Sequence, residues 1–151
     1  MKSKGIERKK EGKKQKILII EDDPFMRKLY RNKLVLAGFA VDEAISGEEG
    51  LNKIRAAKPD LVLLDIVLPR KSGFDVLVEI KGSERTKDIP VVILSVLGQI
   101  QDIKRGLSLG ANDYLVKSEI TISEMVVKVR ESLKNKNLWK KVILKKQKLL
   151  K

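Results

Sequence analysis

Acidic side chains close two of the chain's apolar runs, and their positions are the first sign of chemistry. In "KILIIEDDPFMRKLY" the run at 17–20 ends in Glu21, Asp22 and Asp23. In "PDLVLLDIVLP" the run at 61–64 ends in Asp65. Two further runs end in other polar groups, "PVVILS" in Ser95 and "DYLVK" in Lys117. Carboxylates that converge repel one another, and a divalent cation is the usual means of holding them ionised. A hydroxyl donor and an ammonium beside them complete the parts needed to move a phosphoryl group onto an aspartate. Taken singly, each residue has an ordinary alternative as a helix cap or a solvated strand end. Asp23, followed by Pro24, is read that way, as an N-cap with proline at N1. Glu21 and Asp22 together with Asp65 are read as a metal site.

Composition restricts the chemistry further. The chain has neither histidine nor cysteine. That excludes a Ser-His-Asp triad, a zinc site built on imidazole or thiolate, and an imidazole general base. A bound metal must then be a hard cation on oxygen: magnesium, manganese or calcium. A phosphohistidine donor would have to come from another protein. Nothing in the sequence looks like a secretory signal, and no apolar run is long enough to span a bilayer, so a cytoplasmic location is expected.

The elements that must position these residues follow from periodicity. Short runs rich in Val, Ile and Leu, at 17–20, 39–44, 61–64, 91–94 and 114–116, read as strands covered on both faces. Helical patterns alternate with them. Gly38 and Gly110 read as residues that end helices, and "SGEE" and "TISE" as capping boxes that begin them. Five βα units predict an α/β fold with a parallel sheet, right-handed crossovers and helices on both faces. In such a sheet ligands bind outside the carboxyl ends of the strands, where Glu21, Asp22, Asp65, Ser95 and Lys117 stand.

The net charge of +13 is unevenly distributed. Residues 1–16 hold eight Lys or Arg against two Glu, and residues 134–151 hold eight Lys and no acid. Residues 17–133 are close to neutral. The expected organisation is a disordered basic arm at 1–15, a domain at 16–134 and a basic amphipathic extension at 135–151. The last of these carries Leu138, Trp139, Val142, Ile143, Leu149 and Leu150 on one helical face, with a break expected near "NKN". Such a segment can lie on an anionic membrane, meet a protein partner or nucleic acid, or remain a solvated extension.

"ILIIEDDP", "PDLVLLDIVLP" with Gly73 eight residues after Asp65, "IPVVILS" and "GANDYLVK", in that order, resemble the receiver domain of two-component response regulators over about residues 16–134. The resemblance implies a doubly wound, flavodoxin-like fold with strand order 2-1-3-4-5. It also implies Asp65 as phosphoacceptor, and Mg²⁺ held by Asp65, by Asp22 directly, by Glu21 largely through water, and by the main-chain carbonyl of Val67. Ser95 matches the switch hydroxyl, Lys117 the family's lysine, and Tyr114 the aromatic switch whose ring turns inward on activation. The implied partners are a histidine kinase or phosphotransfer protein and an output protein. The implied output surface, α4–β5–α5, comprises the helix at about 100–109, the strand at 114–116 and the helix that "TISE" begins, and it is also the expected homodimer contact. The protein is then a signalling switch rather than an enzyme acting on a separate substrate.

With only eighteen residues beyond Leu133, a stand-alone receiver without a DNA-binding domain is expected. Three departures from the family pattern stand out. Ser118 replaces the proline that usually follows the lysine, often after a cis bond, and a cis bond before serine costs ~3–4 kcal/mol. Val96 replaces a small residue. Val67 and Leu97 are apolar where many receivers carry polar groups that influence hydrolysis, so slow self-dephosphorylation is expected. Two alternatives stay open. One is a phosphohydrolase of the haloacid-dehalogenase kind, although Val67 occupies the position of its usual second acid. The other is a degenerate receiver serving as a basic adaptor for membrane, nucleic acid or protein.

Overall fold

The computed structural model describes residues 13–135. The arm up to residue 12 and the extension from residue 136, with the break expected near "NKN", lie outside the described residues. The five strands are β1 (Lys16–Ile20), β2 (Ala40–Ala44), β3 (Leu61–Leu64), β4 (Val91–Ser95) and β5 (Asp113–Val116). The helices are α1 (Pro24–Leu36), α2 (Gly47–Ala57), α3 (Gly73–Lys81), α4 (Ile100–Ser108) and α5 (122–135). The strands form one parallel sheet of order β2-β1-β3-β4-β5, as expected. No peptide bond among the described residues is cis.

Side chains alternate across each strand, so the continuous apolar runs serve two cores at once. Leu18, Ile20, Val62, Leu64, Val91 and Ile93 pack with Leu51, Ile54, Phe74, Leu77 and Ile80 under α2 and α3. Ile17, Ile19, Leu61, Leu63, Val92 and Leu94 pack on the other face with Tyr30 and Leu34 of α1 and Met125, Val129 and Leu133 of α5. The strands are thus hydrophobic at consecutive positions because neither face meets water.

The helix boundaries carry the chemistry read from the sequence. Asp23 caps α1, its side chain accepting from the amides of Phe25 and Met26. Ser46 accepts from the Glu49 amide while the Glu49 carboxylate accepts from Ile45, one residue before the usual capping-box partner. Thr121 and Glu124 exchange both bonds of a complete box at the start of α5. Gly38 and Gly110 adopt φ of +100° and +108° at the ends of α1 and α4, in the left-handed region open to glycine. Gln99, the N-cap residue before α4, makes no side-chain capping bond.

Candidate functional site

Parallel register brings the polar strand ends together. Ile20 lies opposite Leu64 in the β1–β3 ladder, and the Asp65 amide donates to the Ile20 carbonyl at 3.0 Å. Glu21 and Asp65 therefore leave the sheet side by side. Ser95 is paired with Val116 in the β4–β5 ladder, so Lys117 follows it onto the same rim.

Four of the charged groups meet there. Carboxylate oxygens of Glu21, Asp22 and Asp65 lie within 4.8 Å of one another. Lys117 Nζ donates to Glu21 Oε1 at 2.7 Å and to Asp65 Oδ2 at 3.0 Å. Glu21 and Asp65 are buried, at 2% and 5% exposure, whereas Asp22 faces solvent. The second oxygen of Glu21 accepts from the Asp23 amide at 3.1 Å, and the Val67 amide donates to Asp65 Oδ1 at 3.2 Å. One ammonium against three carboxylates leaves a negative excess on an all-oxygen donor set. That is the chemistry of a hard divalent cation site, and the residues fit one.

Burial is the dominant influence on Glu21 and pushes its carboxyl up to about 7, with the Asp65 charge adding to the shift and the Lys117 contact opposing it. For Lys117, burial alone would lower the ammonium. The bonds to Glu21 and Asp65 outweigh it and hold Lys117 above its usual range. Lys117 also lines a small cavity of about 50 Å³, together with Met26, Tyr30, Leu94 and Met125.

Ser95 is fully buried, and its Oγ accepts from the Leu97 amide at 3.3 Å. Tyr114 is inward, 8% exposed, and its hydroxyl donates to the Leu97 carbonyl at 2.7 Å. Burial, with Asp102 and Asp65 nearby, pushes that phenol up to about 12. Val67 and Val96 are 50% and 61% exposed, and Leu97 packs partly into the core.

One residue of the site escaped the sequence reading. Arg27, in the second turn of α1, donates through Nη1 to the main-chain carbonyls of Glu21 at 2.9 Å and Asp22 at 3.3 Å. Its only trace in the sequence is a basic residue four positions after the capping aspartate, too common a pattern to single out.

Comparisons with known proteins agree with this architecture. Residues 17–130 match the response regulator receiver domain. The DNA-binding dual master transcriptional regulator RpaA of Synechocystis is 43% identical over 79% of this chain and 49% of its own length. Among solved structures, the receiver domain of a Francisella response regulator superposes with a TM-score of 0.74 at 27% identity, covering 80% of this chain and 98% of that one. A CheY-like receiver domain protein of Methanospirillum hungatei gives 0.76 at 24% identity, covering 82% and 97%, and bears on the fold alone. The chain spans about half the length of the curated relatives it matches. The expectation of a receiver without a DNA-binding domain therefore draws no support from relatives, one of which is named for binding DNA. Among the described residues, no helix is long and apolar enough to cross a membrane. By its match over 17–130, and in keeping with its strand order, this chain belongs to the response regulator receiver domain family.

Proposed function

We propose that the chain is a phosphorylation switch in which Asp65 accepts a phosphoryl group from a phosphohistidine on a kinase or phosphotransfer protein. The observation that carries this reading is the convergence of Glu21, Asp22 and Asp65 on one rim, with Lys117 bridging Glu21 and Asp65. An Asp65 carboxylate oxygen attacks phosphorus, an O–P bond forms, the N–P bond breaks, and the imidazole nitrogen keeps the electron pair. Lys117 neutralises charge on the transferring group. Asp22, Asp65, the Val67 carbonyl and Glu21 would hold Mg²⁺, which when bound supplies further neutralisation of phosphoryl charge. Ser95 then donates its hydroxyl to the new dianion, and the α4–β5–α5 face changes what it binds. That face carries the exposed apolar residues Ile100, Leu107 and Val127, and it is the surface proposed for an output partner or a second copy. The protein would catalyse only its own phosphorylation and dephosphorylation.

Intact mass after incubation with acetyl phosphate tests the proposal. A gain of one phosphoryl group is expected with Mg²⁺ and none with chelator. No gain with acetyl phosphate or with a phosphohistidine donor would leave a degenerate receiver scaffold.

The phosphorylated state is expected to be long-lived. Val67 and Leu97 offer no polar side chain to orient a hydrolytic water. Introducing Val67→Asn with Leu97→Glu is expected to shorten the half-life by up to roughly a hundredfold, the lower end of general-base assistance. An unchanged decay by phosphoryl loss over time would show that these positions do not set it.

Glu21 makes stability depend on pH. A carboxyl raised from 4.5 to about 7 by folding favours the folded state while protonated. That contribution is complete below the unfolded value and disappears as pH rises through about 7. The metal-free protein loses stability through this group over that window, and a cation that needs ionised carboxylates opposes the loss. Mg²⁺ is therefore expected to raise Tm more at about pH 8 than at about pH 5.5. Thermal melts with Mg²⁺ and with chelator check this, and Glu21→Gln should flatten the difference.

A further inference from the structure

We propose that Arg27 and Glu43 form a clamp that sets the main chain bearing Glu21 and Asp22, and so tunes the site toward a small octahedral cation. The inference rests on the metal-site reading above and concerns two residues that do not themselves face the cation. Arg27 uses one nitrogen, Nη1, to hold the carbonyls of both acidic residues, while its Nε donates to Glu43 Oε1 at 3.1 Å. The bonds go to main-chain oxygens, so the carboxylates of Glu21 and Asp22 stay available to other partners.

The anchor is itself anchored. Glu43 lies opposite Ile19 in the β1–β2 ladder, and its second oxygen takes Arg31 Nε at 2.9 Å, one turn further along α1. The Glu43 carbonyl is held by Lys53 of α2. The Glu21 amide donates to the Ala44 carbonyl at 3.0 Å, immediately after Glu43. The loop carrying the acids is thus tied to the edge strand on one side and to α1 on the other.

The plain alternative is a surface ion pair of little consequence. Two features oppose it. The Arg27 side chain is only 16% exposed, and its contacts require a planar fork that reaches two carbonyls and a carboxylate at once. Lysine keeps the charge but lacks that fork. Mg²⁺ demands near-ideal octahedral geometry at ~2.0–2.1 Å, whereas Ca²⁺ accepts looser shells at ~2.3–2.6 Å. A rigid main chain at two of the acids should therefore favour Mg²⁺, and a loosened one should lose Mg²⁺ more than Ca²⁺.

The experiment is calorimetric titration of the full chain with Mg²⁺ and, separately, Ca²⁺, for wild type, Arg27→Lys, Glu43→Gln and Arg31→Ala. Amide exchange at Asp22 and Asp23 in metal-free protein is followed in parallel. Arg27→Lys is expected to weaken Mg²⁺ about tenfold, the lower end of typical outer-shell effects, with a smaller loss of Ca²⁺ affinity and faster exchange at both amides. Glu43→Gln should move in the same direction, and Arg31→Ala, which touches neither carbonyl and frees only the second oxygen of Glu43, should shift the Mg²⁺-to-Ca²⁺ ratio the same way by less than Arg27→Lys does. Equal losses for both metals in Arg27→Lys, or no change in either, overturn the clamp while leaving the metal site standing. A wild type that binds no Mg²⁺ overturns both.

Discussion

Replacing Asp65 with Asn is expected to abolish the phosphoryl gain, a loss on the order of a thousandfold or more, the scale seen when a nucleophile is removed. Among the described residues, Glu21 is the only other buried carboxylate, and both of its oxygens accept hydrogen bonds, from Lys117 and from the Asp23 amide. The same variant should melt at a higher temperature than wild type in chelator, because it removes one negative charge from a cluster of three that a single ammonium offsets. Intact mass and thermal melts on the same preparation read both effects. A phosphorylated Asp65→Asn protein would move the acceptor elsewhere. A lower melting temperature would mean that the Asp65–Lys117 contact outweighs carboxylate repulsion.

Gly73→Ala is expected to destabilise the fold by about 3 kcal/mol, near the upper range for forced overpacking. A Cβ at this position would stand 2.2 Å from the Asp65 carbonyl oxygen and 2.6 Å from Ile66 Cα. These are main-chain atoms in the stretch that leaves β3, so no flexible side chain can yield. The Gly73 amide also donates to the Ile66 carbonyl at 2.8 Å, which holds the start of α3 against that stretch. The displaced atoms belong to the proposed phosphoacceptor, and phosphorylation should fall along with stability. Gly38→Ala provides the contrast. Its added Cβ meets nothing within 4 Å, and only its φ of +100° is costly, roughly 1–2 kcal/mol. Denaturant midpoints of the two variants separate close approach from backbone strain. A Gly73→Ala midpoint no lower than that of Gly38→Ala would count against the steric account.

Much of this was legible in the sequence because a doubly covered parallel sheet writes itself as continuous apolar runs. Leu61–Leu64 matched residue for residue, and the other strands differed by a residue at one end. Caps are local chemistry, so Asp23, Ser46 and Thr121 could be read from their neighbours alone. The polar residues that close β1, β3, β4 and β5 could be named for the same reason: each breaks an apolar run at the end where ligands bind.

What the sequence could not contain is what depends on register and on the direction in which side chains leave the backbone. Glu21 and Asp22 are adjacent, yet one is buried against Lys117 and the other faces solvent. Arg27 meets Glu43 only because α1 folds back over the edge of the sheet and β2 pairs with β1 in a particular register. Gly73 looks like a helix start until α3 is packed against the main chain of Asp65. Tyr114 could be assigned a switching role, but its inward direction depends on the Leu97 carbonyl across the β4–β5 edge. Residue types and local caps determined which chemistry this chain can attempt. The packing of helices over a register-locked sheet decided which groups meet, because contacts between residues far apart in sequence exist only once the chain has closed on itself.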